Sequence, residues 1–390
     1  MTTGDQPLSF RTIRSAQEFS ALRDEWHGLF VRSGCSTASL TGAAVYSLLL
    51  HGSNADSAPM LVVALQGQRV VGGVPLTCTE AGGRLRVNTF ADTQTYGVDC
   101  LADDAQPWVR MALLEHVIGA FGHAFSIVLE DIAATSNTVG CAHKLRHVAV
   151  HTDERRSASF LSVPATEEAI RSSVSSNFRK NLRKQEARLR EATGVGFTFL
   201  TGADATPDLF DRFLSLEASG WKGQAGTAIA SRERLRAYYA TLTEELARDG
   251  QLEWHFLEAN GRPIGGHLAV RTGSVLTLLK IAYDEVHAAL APGNMLFLEM
   301  LRREARNGGT TVVDCLTDMP WHQNWRMQRR LHLTVSLYPR RIGPLLFGYA
   351  PAVLADSVRK IQIARSTVRI IKKFGAIVAP ALPGLRSRVK

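Results

Sequence analysis

The chain has 390 residues, 45% of them hydrophobic, and its 45 Lys/Arg exceed its 36 Asp/Glu to give a net charge of +9. That length suits two domains of ~150–200 residues, each with a core of its own. Five scattered cysteines with no CxxC pair exclude a disulfide framework or zinc site and point to a reducing cytoplasm, and the absence of a run of ~18 apolar residues excludes a spanning helix.

Residues 1–7 are polar and carry no apolar stretch of the kind a secretory leader needs. The apolar run 61–65 leads into Arg69-Val70-Val71-Gly72-Gly73, which predicts a β-hairpin with a glycine pair in its returning strand. Paired glycines weaken a strand, so they mark a bulge or a place where another group comes close. A strand over 85–87, a polar loop over 92–97 and a helix over 107–121 follow, then a strand over 125–129. Near the middle, 171–191 reads as a helix that Ser175 or Ser176 can cap, and 207–219 as another.

From residue 254 the first pattern returns. An apolar run over 254–257 leads into Arg262-Pro263-Ile264-Gly265-Gly266. A strand over 274–282, a loop over 283–294, a helix over 295–307 and a strand over 310–316 come next. Pro107 and Pro292 stand near helix starts, Gly122 and Gly308 at helix ends. The recurrence predicts two successive α+β units, 8–165 and 166–339, with mixed, mostly antiparallel sheets.

Charge is uneven along the chain. Residues 340–390 hold 11 Lys/Arg and one acid, Asp356, which leaves the remainder at −1. Leu354, Val358, Ile361, Ala364, Val368, Ile371 and Phe374 fall on one helical stripe with basic residues mostly outside it. That pattern fits a basic amphipathic helix on an anionic membrane surface, or equally a helix packed on the body with a solvated basic face. Upstream, 342–349 reads as an apolar, turn-rich stretch. A second basic stretch, 171–191, includes Arg179 and Arg183 and suits either a phosphorylated substrate or a solvated linker. His143, His147 and His151 have no evident carboxylate partner, and no metal site is expected there.

Several runs carry a resemblance. They are Ser176-Asn177-Phe178-Arg179-Lys180-Asn181-Leu182-Arg183-Lys184, Leu216-Glu217-Ala218-Ser219-Gly220-Trp221-Lys222-Gly223, Gly226-Thr227-Ala228-Ile229, Ile281-Ala282-Tyr283-Asp284 and Ala291-Pro292-Gly293. Together they resemble GNAT-superfamily acyltransferases encoded near bacterial cellulose and exopolysaccharide loci, which are similar to Fem-type peptidyltransferases built of two GNAT-like halves. The resemblance implies acetyl-CoA or another acyl-CoA as co-substrate, no metal, and an amine of a small molecule or glycan precursor as acceptor. It also implies a cytoplasmic protein, peripheral on the membrane if the tail binds lipid. A Fem-like alternative is aminoacyl transfer from charged tRNA, and a third is a non-catalytic partner of a membrane polysaccharide synthase.

In such enzymes a glycine-rich loop at a helix N-terminus wraps the coenzyme pyrophosphate, because free N–H groups and the helix dipole favour an anion. The matching stretch here ends in Pro292, Gly293 and Asn294 and lacks the full Gly-x-Gly pattern. Acyl transfer needs a polarised thioester carbonyl, a deprotonated amine and a proton for the leaving sulfur. Asp314 reads as base or amine-orienting carboxylate, or as a strand-end cap; Tyr283 reads as proton donor, or as a residue at the core's edge. Lys280 can neutralise a phosphate or oxyanion, or simply face solvent. Trp221 and Lys222 suit stacking on a base or sugar, or Trp221 anchors its loop to the core; Tyr96 and Asp99 suit a pocket between the halves.

Overall fold

The computed structural model describes residues 7–52, 58–89, 96–220, 226 and 228–359. Among them, thirteen strands join one continuous sheet. In chain order these are β1 (Leu8–Ile13), β2 (Ala58–Gln66), β3 (Arg69–Ala81), β4 (Arg84–Thr89), β5 (Leu101–Ala102), β6 (Ser126–Ala133) and β7 (Val148–Ser162). The second group is β8 (Val195–Thr201), β9 (Leu252–Ala259), β10 (Arg262–Thr272), β11 (Val275–Tyr283), β12 (Val312–Asp314) and β13 (Gln328–Pro339). The spatial order is β1-β2-β3-β4-β6-β13-β7-β12-β11-β10-β9-β8, with β5 beside β3.

This order reads nearly the same from either edge. Each side has an antiparallel meander (β2-β3-β4; β9-β10-β11) whose last strand runs parallel to the one after a helix, β4 with β6 and β11 with β12. The helices are Pro107–Ala120 and Pro292–Asn307, each with proline in its first turn. At the centre the closing strands are exchanged. β7 follows β6 in sequence yet pairs with β12, and β13 follows β12 yet pairs with β6. The two then pair with each other from Gln328↔Phe160 to Pro339↔Val148.

The repeated glycine pairs do matching jobs on the two sides. A β-carbon on Gly72 would lie 2.9 Å from Val109 of the Pro107–Ala120 helix, and one on Gly265 3.3 Å from Pro292 of the Pro292–Asn307 helix. On the opposite face a β-carbon on Gly73 would lie 2.5 Å from Trp26, and one on Gly266 3.0 Å from Leu216. Trp26 belongs to the Arg23–Arg32 helix and Leu216 to the Leu209–Ser219 helix. Each pair therefore sits where helices on both faces approach the sheet most closely, and a side chain there would overpack the core by typically 1–3 kcal/mol.

Helices cover both faces of both sides, which divides the core into four apolar clusters. One of them spans the two sides: Ala43 and Ala44 of the Gly42–His51 helix pack with Tyr239 and Leu242 of the Glu233–Arg248 helix. Arg23 adds an ion pair to Asp249, its Nη2 lying 2.9–3.0 Å from both carboxylate oxygens, and a contact of Nη1 with Glu245.

Local differences from the sequence reading have plain causes. The 171–191 stretch is two helices, Glu167–Ser173 and Ser176–Glu191, because Val174 is extended and Ser175 caps the second by accepting the Phe178 N–H. The loop expected over 283–294 contains a 3₁₀ helix, Glu285–Leu290, held by Asp284, whose side chain accepts the Val286 N–H. The apolar stretch after 341 is helical, with a π turn at Leu345–Tyr349, and the helix continues to Arg359. Its Ile342, Leu346, Phe347, Leu354 and Val358 are exposed. Ile361 onward lies outside the described residues. No helix among the described residues is long and apolar enough to cross a membrane.

Candidate active site

β11 and β12 pair only from Val275↔Val312 to Thr277↔Asp314. β12 stops there while β11 runs on to Tyr283, so the two strands diverge. The register of β11 against β10 passes from Lys280↔Leu268 to Leu278↔Ala269, which leaves Leu279 as a bulge. A bulge bends a strand and re-aims its side chains. The opening holds a cavity of about 400 Å³. Residues 278–283 of β11 form one wall, Cys315, Leu316, Thr317 and Trp321 another, and Tyr96 reaches in from the first side of the sheet. The lining is mostly apolar, with Glu217, Lys280, Tyr283 and His322 among its polar members.

Three of the expected residues meet in this cavity: Tyr283, Lys280 and Tyr96. Tyr283 is 42% exposed at the mouth, beside the helix start, where a β-carbon on Gly293 would lie 3.9 Å from its ring. Lys280 is on the cavity wall, its ammonium 5.2 Å from the centre of the Tyr239 ring, and so turns inward instead of toward solvent. The guanidinium of Arg156 lies 4.5 Å over the Tyr96 ring.

Of its two readings, Asp314 takes the arrangement of a strand-end cap at the close of β12. Its carboxylate accepts the Leu316 N–H at 2.8 Å and an Arg330 N–H at 3.1 Å, and Cys315 and Leu316 line the cavity in its stead. Asp99 is likewise occupied, accepting from the Cys100 N–H at 2.6 Å and the Ser136 hydroxyl. Arg179 is half-buried and donates to the Val174 carbonyl at 3.4 Å, while Arg183 is exposed; neither lines the cavity. Trp221 and Lys222 lie outside the described residues.

Pro292, Gly293 and Asn294 open the Pro292–Asn307 helix. Ala291, its cap, is left-handed at φ 49° and supplies no side-chain hydrogen bond. The Met295 N–H bonds back to the Ala291 carbonyl, so the amides of Gly293 and Asn294 precede that first intrahelical bond. Two donors at the positive end of a four-turn helix, beside Tyr283, have the chemistry of an anion cradle. The packing of Gly265 under Pro292 brings the sheet directly beneath it.

Two cavity residues had no role in the sequence reading. Glu217 is only 3% exposed, and one carboxylate oxygen accepts the Ile229 N–H at 2.8 Å. It lay within the Leu216–Gly223 run, but nothing local distinguishes a buried glutamate on a helix from a solvated one. His322 accepts the Met319 N–H on Nδ1 at 3.0 Å, and burial lowers its pKa to about 4, so it is neutral at pH 7.

A mixed, mostly antiparallel sheet that splays beside a helix N-terminus is the architecture of GNAT-type acyltransferases, and this chain has that fold. Residues 176–323 match a family model described as an acetyltransferase (GNAT) domain. The crystal structure of FemX superposes with a TM-score of 0.58 at 12% identity, covering 84% of this chain and 97% of that one. A conserved protein of unknown function from Bacteroides thetaiotaomicron gives 0.54 at 14% identity, with 82% and 97% covered. The C-terminal domain of a putative lysylphosphatidylglycerol synthetase from Agrobacterium fabrum gives 0.52 at 10% identity, with 87% and 97% covered. No curated protein sequence matches the chain.

Proposed function

We propose that the protein transfers an acyl group from a coenzyme A thioester to an amine. The observation that carries this reading is the meeting of an apolar cavity, opened where β11 leaves β12, with the uncapped start of the Pro292–Asn307 helix. The Gly293 and Asn294 amides suit the coenzyme's pyrophosphate, and the mostly apolar cavity suits the acyl end of its thioester. Bound there, the thioester supplies an activated carbonyl carbon.

The protein's part is to hold and to move protons. Glu217 orients the acceptor amine and accepts the proton that its nitrogen loses, a role better suited to its place in the cavity than to Asp314, which ties down the Leu316 turn. The amine nitrogen bonds to the carbonyl carbon, the carbon–sulfur bond breaks, and the Tyr283 hydroxyl gives the departing sulfur its proton. Lys280 offsets negative charge on the carbonyl oxygen as it develops. The acceptor is an amine of a small molecule or of a cell-envelope or exopolysaccharide precursor, a choice that rests on the sequence resemblance. We also assign residues 340–390 to an anionic membrane surface, on their charge and on the exposed apolar residues of 342–359.

Calorimetric titration with acetyl-CoA, paired with a turnover assay, tests the reaction. Binding is expected in the wild type and in Tyr283→Phe alike, with turnover in the variant about 10²-fold lower. No heat with coenzyme A or any of its thioesters sinks the reading.

A further inference from the structure

Two backbone irregularities converge inside the cavity. Leu279 is the bulged residue of β11. Across the opening, Leu316 has φ 58°, a conformation that leucine rarely adopts. Leu316 is fixed from two directions. Its N–H is held by Asp314 of β12, and its carbonyl accepts from the guanidinium of Arg156 on β7. Arg156 is itself ion-paired to buried Asp131, a second left-handed residue, at φ 59°. The fold thus spends three elements on holding one leucine in an unfavourable backbone geometry.

Beyond these leucines the space does not end. A second void of about 20 Å³ lies between the two sides of the sheet, walled by Ala38, Ala44, Tyr238 and Leu242 among others. Leu279, Leu316 and Tyr96 line both spaces and form the partition between them. The void has room for about one water and is walled mainly by apolar groups.

We propose that Leu279 and Leu316 are the chain-length stop of the donor site: the acyl group ends against them, which restricts the donor to acetyl- or propionyl-sized groups. This rests on the acyl-thioester reading above. Removing either side chain joins the void to the cavity and lets a longer chain extend between the two sides of the sheet.

The experiment uses the full chain, with Leu316→Gly and Leu279→Ala beside the wild type. Coenzyme A and thioesters from acetyl to octanoyl are compared by calorimetric Kd and by kcat/KM. Glycine takes a positive φ without strain, so Leu316→Gly relieves the backbone while it opens the partition, and a thermal melt reports whether each variant is folded. The wild type is expected to decline with each carbon beyond propionyl. The variants are expected to shift toward longer chains, gaining about fourfold in Kd and kcat/KM for each methylene newly buried. Equal acceptance of octanoyl and acetyl by the wild type overturns the proposal. So does binding of thioesters by both variants with an unchanged chain-length profile. Absence of binding by coenzyme A and every thioester overturns the transfer reading and this proposal with it.

Discussion

His267 directly follows the second glycine pair and is 3% exposed, its Nδ1 3.4 Å from that of His255. The other nitrogen of His255 is 3.0 Å from Glu253, which also pairs with Arg271. Burial, and then the proximity of His255, holds the pKa of His267 well below 6.5. His322 is lowered to about 4, mainly by burial. A histidine depressed in the folded state takes a proton more readily once unfolded. Its contribution is therefore complete above pH 6.5 and falls as pH drops below it. Burial alone would raise Glu253, but His255 and Arg271 hold it at about 2, so its contribution fades below pH 4.5 in the same direction. Stability measured by urea midpoint is expected to decline from pH 6.5 downward, by about 1.4 kcal/mol per pH unit for each depressed histidine. His267→Gln should flatten that slope; an unchanged slope would show that His267 does not govern it. The sequence shows His267 directly after the repeated glycines, and its burial suits a structural histidine. It could not show Glu253 or His255 as partners, because cross-strand contacts depend on register.

At the scale of elements, legibility followed locality. Hairpins, proline-started helices and the glycine pairs were readable because each is specified by residues adjacent in sequence. The β11 bulge and the Leu316 turn were not, since neither carries a glycine and both are imposed by neighbours in space. The helical segment 342–359 falls between these cases. Its apolar residues were evident, but their exposure was not: Ile342 is 83% exposed and Leu354 65%. Arg84 stacks 5.7 Å from Phe347, which places a cation beside the exposed row. Apolar groups flanked by cations favour an anionic lipid interface, at about 1 kcal/mol per basic residue near the surface. Full-length protein is expected to sediment with phosphatidylserine vesicles, more weakly as salt rises, and to ignore phosphatidylcholine vesicles. Leu346→Glu with Phe347→Glu should release most of it. Retention of that double variant on the vesicles would rule out this surface as the contact.

The whole molecule is organised by the exchange of β7 and β13. We take 8–165 and 166–339 as the two units of the chain, but neither unit completes its own sheet. Cut after residue 165, the first fragment keeps β7 and loses β13, the strand that joins β6 to β7. The second keeps β13 and loses β7, the partner of β12. Each fragment would expose a long strand edge together with the apolar residues packed across it. The contacts of Arg23 with Glu245 and Asp249, and the Thr272 hydroxyl donating to the Ser36 carbonyl at 2.7 Å, tie the units together away from the sheet centre. Independent lobes would melt in two steps, whereas units that lend each other a central strand should lose structure together. The intact chain is therefore expected to unfold in one transition, with coincident curves by tryptophan fluorescence and circular dichroism. Fragments 1–165 and 166–390 should each lack a cooperative melt alone and regain it when refolded together. A cooperative melt of fragment 1–165 by itself would mean that the exchanged strands decorate two self-sufficient domains instead of coupling them.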